Sequence, residues 1–146
     1  MCSKGGSEGA GTPRRTRTHM NEIELLIEYV KAWNNLDTSY LENILSDDFA
    51  YTSQWVFETM HGRDTYITYL GGKFKTMLKN PASIPSAEIA YFRYAYMDKD
   101  KPCIVLTQRD TQASLIVQVE NGRIKQADLV GFPSPDLAIR FGMEPQ

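Results

Sequence analysis

The sequence predicts an α+β fold in which helices from the first half of the chain cover one face of an antiparallel sheet from the second half. Two observations indicate it: apolar residues recur at helical spacing up to about residue 80, and the period changes to two from Ala87 onwards. The length of 146 residues, with 42% hydrophobic and 23% charged residues, suits a single folded domain with a substantial core.

The first 19 residues show no apolar period and are rich in Gly, Ser, Thr and Arg. We interpret residues 1–19 as a tag or disordered leader, with a transit peptide or a basic arm as alternatives, and residues 20–146 as one domain. Setting residues 1–19 aside removes four of the 16 basic residues and one of the 18 acidic ones, which leaves a net charge of about −5. An acidic domain is a poor nucleic-acid binder, so no nucleic-acid partner is expected.

Cysteine usage and hydropathy indicate the expected cellular compartment and the kinds of site that are not expected. Cys103 is the only cysteine outside the leader, so no disulfide framework is expected, and no Cys and His cluster at metal-ligand spacing predicts a metal or cofactor site. No run approaches the roughly 20 apolar residues of a membrane helix. With no signal peptide in the sequence, we expect a cytoplasmic protein without a membrane partner.

The helical half begins with an amphipathic segment that Asn21 and Glu24 are expected to cap. Its apolar stripe consists of Ile23, Leu26, Ile27, Val30 and Trp33. After a polar break at residues 34–37, the spacing predicts a short second helix that ends near residues 46–48, and then a strand over 49–55. A third helix is expected from about residue 63 to 80, capped by Asp64, with close packing as the reason for Gly71 or Gly72 in its interior.

The strand half has a period of two and short turns at DKDK and ENG. It predicts four strands, over residues 87–97, 102–110, 111–119 and 123–132, joined as an antiparallel meander. The tail after residue 132 is expected to fold over a pocket mouth or to pack on a partner subunit.

The segment IEYVKAWNNLDTSYLENILSDDFAYTS, followed by HGRDTYITYL, resembles the start of the SnoaL-like branch of the nuclear-transport-factor-two-like, cystatin-like superfamily. The resemblance extends from residue 22 to about residue 132. Its matching positions are Trp33, Asp37, Leu41, Leu45, Asp47, Asp48, Gly62 and Arg63. It implies a conical α+β barrel with an apolar pocket between helices and sheet, and a homodimer formed through the outer sheet face, but no single activity.

The steroid isomerases of this superfamily carry a phenol donor on the first helix, an Asp base on the first strand and a second acid on a late strand. By this resemblance, Tyr29 occupies the donor position, Ser53 the base position and Leu115 the position of the second acid. Serine alone cannot abstract a proton next to a carbonyl, so that mechanism is not expected here.

His61 and Asp128 are the other candidate catalytic residues. Histidine changes charge near neutral pH, although a histidine before a helix is more often solvated or capping. Asp128 stands between Ala127 and Leu129 in an apolar strand, where it is a candidate acid or base. An ion pair with Arg93 or Arg109, or exposure to solvent, is the alternative.

The aromatic side chains are the candidate ligand-binding set, because rings and phenol hydroxyls suit a flat apolar ligand. With Ser53 and Leu115, the ligand-binding candidates are Trp33, Tyr51, Trp55, Phe92 and Tyr94. The same rings could instead form core and dimer interface.

Two functions follow from these observations. In the first, the protein binds a small, mostly apolar molecule in its pocket and acts on it as a cofactor-independent isomerase, cyclase or hydrolase through Tyr29, His61 or Asp128. In the second, it is a non-catalytic dimeric module that binds a ligand or a protein partner.

Overall fold

The computed structural model describes residues 21–55, 58–93, 101–131 and 138–140. Two α-helices, α1 (Glu22–Asn35) and α2 (Arg63–Lys79), and two 3₁₀ helices, Thr38–Leu41 and Pro81–Ser83, lie in these ranges. The strands are β1 (Leu45–Ser53), β2 (Met60–His61), β3 (Ser86–Phe92), β4 (Lys101–Gln108), β5 (Thr111–Glu120), β6 (Arg123–Val130) and β7 (Ile139–Arg140). The α+β fold class is confirmed.

The strands form one mixed sheet in the order β2-β1-β6-β5-β4-β3-β7. Every neighbouring pair is antiparallel except β1 and β6, which are parallel, so the predicted meander of β3 to β6 is confirmed. Both helices pack on the same sheet face, which we call the inner face. Side chains such as Ile104, Leu115 and Ala127 join the helices in one buried core there.

The start of α1 has the predicted capping box. The Asn21 side chain accepts a hydrogen bond from the Glu24 amide at 2.9 Å, and the Glu24 carboxylate accepts one from the Asn21 amide at 3.0 Å. Near the other end of the helix, the Asn34 side-chain amide exchanges two hydrogen bonds with the backbone of Ala87, at 2.8 and 3.0 Å. The polar break therefore also fixes α1 to the first residues of β3.

The predicted second helix is wrong beyond its first turn. Only Thr38–Leu41 is helical, as a 3₁₀ turn capped by the Asp37 side chain, and Leu45 already belongs to β1 rather than to a helix. Parallel pairing with β6 explains the difference, because Leu45 pairs with Ile124 and the Ile44 carbonyl accepts a hydrogen bond from the Ile124 amide at 2.7 Å. Asp47 and Asp48 are consequently exposed strand residues.

The predicted capping role of Asp64 is also wrong. Gly62 is the N-cap of α2, no side chain caps this end, and Asp64 lies in the first turn beside Arg63 at 3.4 Å. The Gly62 backbone has φ 101° and ψ 132°, and its amide donates to the Phe49 carbonyl at 2.7 Å. This conformation lets the chain turn from β2 into the helix.

Neither glycine inside α2 is required by close packing, contrary to expectation. A methyl group at Gly71 would meet only the Thr38 side chain at 3.9 Å, an ordinary contact, and one at Gly72 would meet nothing within 4 Å.

We expect Gly62→Ala to lower the free energy of unfolding by about 1–3 kcal/mol, because alanine is strained at positive φ although its methyl group has room there. Gly72→Ala is the matched control and should raise stability by about 0.5–1 kcal/mol, since it sits in a helix interior with open space. Urea unfolding of both variants measures the difference. Equal effects of the two substitutions would contradict the assigned backbone conformation.

The outer face of the sheet is partly closed within a single chain. Ala90, Phe92, Cys103 and Val105 alternate with inner-face residues and form a second buried cluster with Ala138. The homodimer through the outer face stays a prediction, and these buried side chains are not open to a partner. In the tail, β7 pairs with β3.

Neither α1 nor α2 has the length and apolar content of a membrane-spanning helix.

Candidate functional site

Behind the inner face lies a cluster of aromatic rings that joins α1, α2 and β1. Tyr29 and Tyr66 are fully buried, and their hydroxyl oxygens are 2.5 Å apart in a hydrogen bond that either residue can donate. The Tyr66 ring packs on Phe49 at 4.9 Å and on Tyr51 at 5.0 Å between centroids. Tyr69 continues the cluster to the surface, 6.3 Å from Tyr51. The Tyr29 hydroxyl is therefore already hydrogen-bonded to another tyrosine of the core.

Burial keeps these phenols protonated. Removal from water raises the pKa of Tyr29 and Tyr66 well above that of free tyrosine. Burial, with the nearby Tyr69, raises the pKa of Tyr51 to about 12. At neutral pH the cluster can offer hydroxyl donors but holds no base.

A cleft of about 200 Å³ opens beside this cluster, between α1, α2 and the ends of β4, β5 and β6. Most of its walls are apolar, and its polar groups lie along the hairpin between β4 and β5. It is lined by Trp33, Lys73, Met77, Pro85, Leu106, Gln108, Thr111, Gln112, Ala113 and Leu129. The cleft lies between helices and sheet, where the resemblance implies a pocket, and its role in ligand binding stays a prediction.

The Trp33 indole is the unusual group in this cleft. Its ring stacks edge-on against Phe74 with centroids 5.2 Å apart, and the side chain is only 8% exposed. Its Nε1 atom is buried and has no hydrogen-bond acceptor among the described residues. A buried N–H without an acceptor costs about 1–3 kcal/mol, so an acceptor brought to it would be stabilising.

Two other polar side chains of the cleft already have partners. The Gln108 side-chain amide donates to the Ser83 carbonyl. The Gln112 side chain donates to Thr107 at 3.0 Å and accepts from Arg140 at 3.4 Å. Lys73 differs, since its ammonium lies 5.5 Å above the Tyr69 ring and makes no ion pair within the described ranges.

Asp128 and His61 lie on the outer face, opposite to Tyr29. Asp128 pairs with Thr52 and Ile116 and accepts hydrogen bonds from the Thr52 hydroxyl and, at 2.8 Å, from the Gln126 amide. These partners replace the ion pair with Arg93 or Arg109 that the sequence left open. His61 pairs with Ala50 in β2 and is exposed. The three candidate catalytic residues therefore do not share one cavity.

Four of the remaining candidates fall in three places, and the fifth is not among the described residues. Ser53 and Leu115 point to the inner face, Leu115 as a fully buried core residue and Ser53 bonded to the Trp55 amide at 3.2 Å. Trp55 is 57% exposed beside Gly131. Phe92 is in the outer cluster, away from the cleft. Tyr94 lies outside the described residues.

Sequence reasoning included Trp33 but missed Lys73 and Met77. Both are on α2, four residues apart, so they share the helix side that carries Leu70 and Phe74. The signal available in the sequence was the position of Lys73 at the margin of the apolar stripe of α2. It did not show that the stripe ends at a cleft.

A second, larger cleft of about 490 Å³ is open and polar and lies at the start of α2. Its two arginines are Arg63 and Arg123, and Arg63 is already bound to Asp47 at 2.8 Å. No three His, Cys, Asp or Glu side chains come together as a metal site in the part of the chain that the structure describes.

Comparison with known proteins agrees with the architecture. No protein-family model matches the sequence, and no curated protein sequence matches it significantly. Among solved structures, the chain is similar to an uncharacterized cystatin fold protein from Novosphingobium aromaticivorans, with a TM-score of 0.57 and 12% identity over 76% of this chain and 98% of that one.

Two further solved structures have the same fold. A SnoaL-like protein of unknown function from Burkholderia thailandensis has a TM-score of 0.55 and 14% identity over 75% of this chain and 96% of that one. An NTF2-like protein of unknown function from Cytophaga hutchinsonii has a TM-score of 0.52 and 10% identity over 76% of this chain and 89% of that one. The predicted resemblance is confirmed, and the chain has the cystatin-like α+β fold of NTF2-like and SnoaL-like proteins.

Proposed function

We propose that this protein is a non-catalytic module that binds a small, mostly apolar molecule carrying a hydrogen-bond acceptor. The ligand occupies the cleft between α1, α2 and the ends of β4 to β6, and its acceptor atom accepts a hydrogen bond from the Trp33 N–H. The observation that carries this proposal is that Trp33, a lining residue of a mostly apolar cleft, has a buried N–H without an acceptor among the described residues.

The chemistry of the cleft supports a mainly apolar ligand. Pro85, Leu106, Ala113 and Leu129 supply the walls, and binding sites of this kind combine apolar walls with a few placed polar groups. The volume of about 200 Å³ is below the roughly 300–1,000 Å³ of a drug-sized site, so a small ligand is favoured. The Nε1 atom is covered in the free protein, and the flexible Met77 side chain is the wall element best able to move aside.

The same lining supports binding without chemistry. General acid-base catalysis needs a group of suitable pKa within hydrogen-bond reach of the ligand. The described lining of the cleft contains no Asp, Glu or His. Asp128 and His61 are on the other sheet face, and Tyr29 is bonded to Tyr66 inside the core.

Nuclear magnetic resonance of the two tryptophan indole N–H groups tests this function. We expect small apolar acids, amides and ketones that bind to move the Trp33 indole resonance downfield and to leave that of the exposed Trp55 unchanged. Trp33→Phe should weaken binding of such a molecule about three- to tenfold, because one hydrogen bond is lost. Trp55→Phe is the matched control, since Trp55 is exposed and does not line the cleft.

The function is overturned if none of these compounds shifts the Trp33 resonance, or if binding moves only Trp55. Equal affinity of the wild type and the Trp33→Phe variant would show that the indole N–H is not the recognition group.

A further inference from the structure

We infer that the ligand is a small monocarboxylic acid bound as its carboxylate, with one oxygen on the Trp33 N–H and the charge facing Lys73. This inference rests on the proposed function, which requires only an acceptor. It adds the charge and chemical class of that acceptor. Lys73 and Trp33 line the same cleft, and the other lining residues that the structure describes are uncharged.

The unused polar groups of the cleft are complementary to an anion. Gln108 and Gln112 are engaged by Ser83, Thr107 and Arg140. Among the remaining side-chain groups of the described lining, the N–H of Trp33 and the ammonium of Lys73 are donors only, and the Thr111 hydroxyl can donate as well as accept. The Gln108 side-chain oxygen is the one of these remaining groups that can only accept. A carboxylate supplies only acceptors, and hydrogen bonds to an ionised acceptor are stronger than those to a neutral one.

Lys73 is free to contribute its charge. Its ammonium lies above the Tyr69 ring at 5.5 Å instead of on a carboxylate, and no acid of the described residues lies within ion-pair distance of it. An anion in the cleft therefore does not have to displace a carboxylate of the described residues from Lys73. Because Lys73 is exposed, its attraction is screened by salt.

The shape of the cleft limits the rest of the molecule. Its volume corresponds to roughly seven water molecules at about 30 Å³ each, which admits one ring or a short alkyl chain. Lys73 is the one cation among the described lining residues and matches a single carboxylate, because a second would enter the cleft without a cationic partner there.

Three pairs of compounds test the inference, each a carboxylate and its primary amide: benzoate and benzamide, hexanoate and hexanamide, and cyclohexanecarboxylate and its amide. Titrations follow the Trp33 indole resonance at low and at high salt, with the wild type and Lys73→Gln. Lys75→Gln is the matched control, because Lys75 is exposed on the same helix but does not line the cleft.

We expect carboxylates to bind more tightly than their amides at low salt and to lose this preference as salt rises. Lys73→Gln should weaken carboxylate binding about two- to fivefold and leave amide binding unchanged, and Lys75→Gln should change neither. Amides that bind as well as carboxylates would overturn the inference and leave the proposed function intact. Absence of binding by all six compounds would overturn both.

Discussion

Raising the pH from 10 to 11 is expected to remove about 3 kcal/mol that buried tyrosines contribute to the free energy of unfolding of this protein. Three buried tyrosines are responsible, Tyr29, Tyr51 and Tyr66, whose pKa values burial raises above that of an exposed tyrosine. An unfolded tyrosine has a pKa of about 10. At pH 10 the unfolded chain has already lost about half of these three protons, and at pH 11 about nine tenths of them, whereas the folded chain keeps them.

Loss of each proton by the unfolded state alone lowers stability by up to about 1.4 kcal/mol per pH unit. The stabilisation from the neutral phenols is fully present below pH 10 and disappears as the pH rises towards their folded pKa values. Cys103 adds to the effect from about pH 9, because burial raises the pKa of its thiol to about 12. A domain with the usual 5–15 kcal/mol of stability should unfold cooperatively at strongly alkaline pH.

Urea unfolding at a series of pH values measures this loss, and the ultraviolet absorbance of tyrosinate reports ionisation. We expect part of the tyrosinate signal to appear only together with unfolding. The Tyr29→Phe/Tyr66→Phe variant should show a shallower decline above pH 10, because two of the three groups are removed. Ionisation of all eight tyrosines before unfolding would contradict the buried cluster.

Tyr66→Ala is expected to lower the free energy of unfolding by about 3–5 kcal/mol, the largest effect of any single substitution considered. The ring is fully buried and contacts Phe49 and Tyr51, so truncation leaves a cavity in the middle of the core. Tyr66→Phe keeps the ring and should cost about 1–3 kcal/mol, because it leaves the Tyr29 hydroxyl buried without its partner.

The double-mutant cycle of Tyr29→Phe and Tyr66→Phe separates packing from hydrogen bonding. Each single variant leaves one buried hydroxyl unpaired, whereas the double variant removes both and keeps both rings. We expect the double variant to be less destabilised than the sum of the two single variants by about 1–3 kcal/mol. Additive effects would show that the two hydroxyls are not bonded in solution.

Local patterns predicted the elements that local interactions determine. The Asn21 and Glu24 box and the apolar period of α1 depend on residues within one helix, and both are as predicted. Residues 41–45 were assigned to a helix because their apolar spacing fits one. The parallel pairing of Leu45 with Ile124 decided their structure, and a contact across about 80 residues leaves no local signal.

The candidate site was harder to predict. Alternation along a strand shows which residues share a face of the sheet, but not which face the helices cover. Asp128 and Leu115 show this: both were read as pocket candidates, and the register of β5 with β6 puts Leu115 inside and Asp128 outside. Trp33 was a ligand-binding candidate because it is aromatic. Its N–H lacks an acceptor because of the way α1 packs against α2 and the sheet. The sequence does not show this packing.

A crystal structure of the wild-type protein with the tightest-binding of the six test compounds tests the central claim most directly. We predict the acceptor oxygen within hydrogen-bond distance of the Trp33 Nε1 atom and the apolar part between Met77 and Leu106. A compound bound instead between Arg63 and Arg123, or beside Asp128 on the outer face, with the Trp33 N–H still without an acceptor, would contradict it.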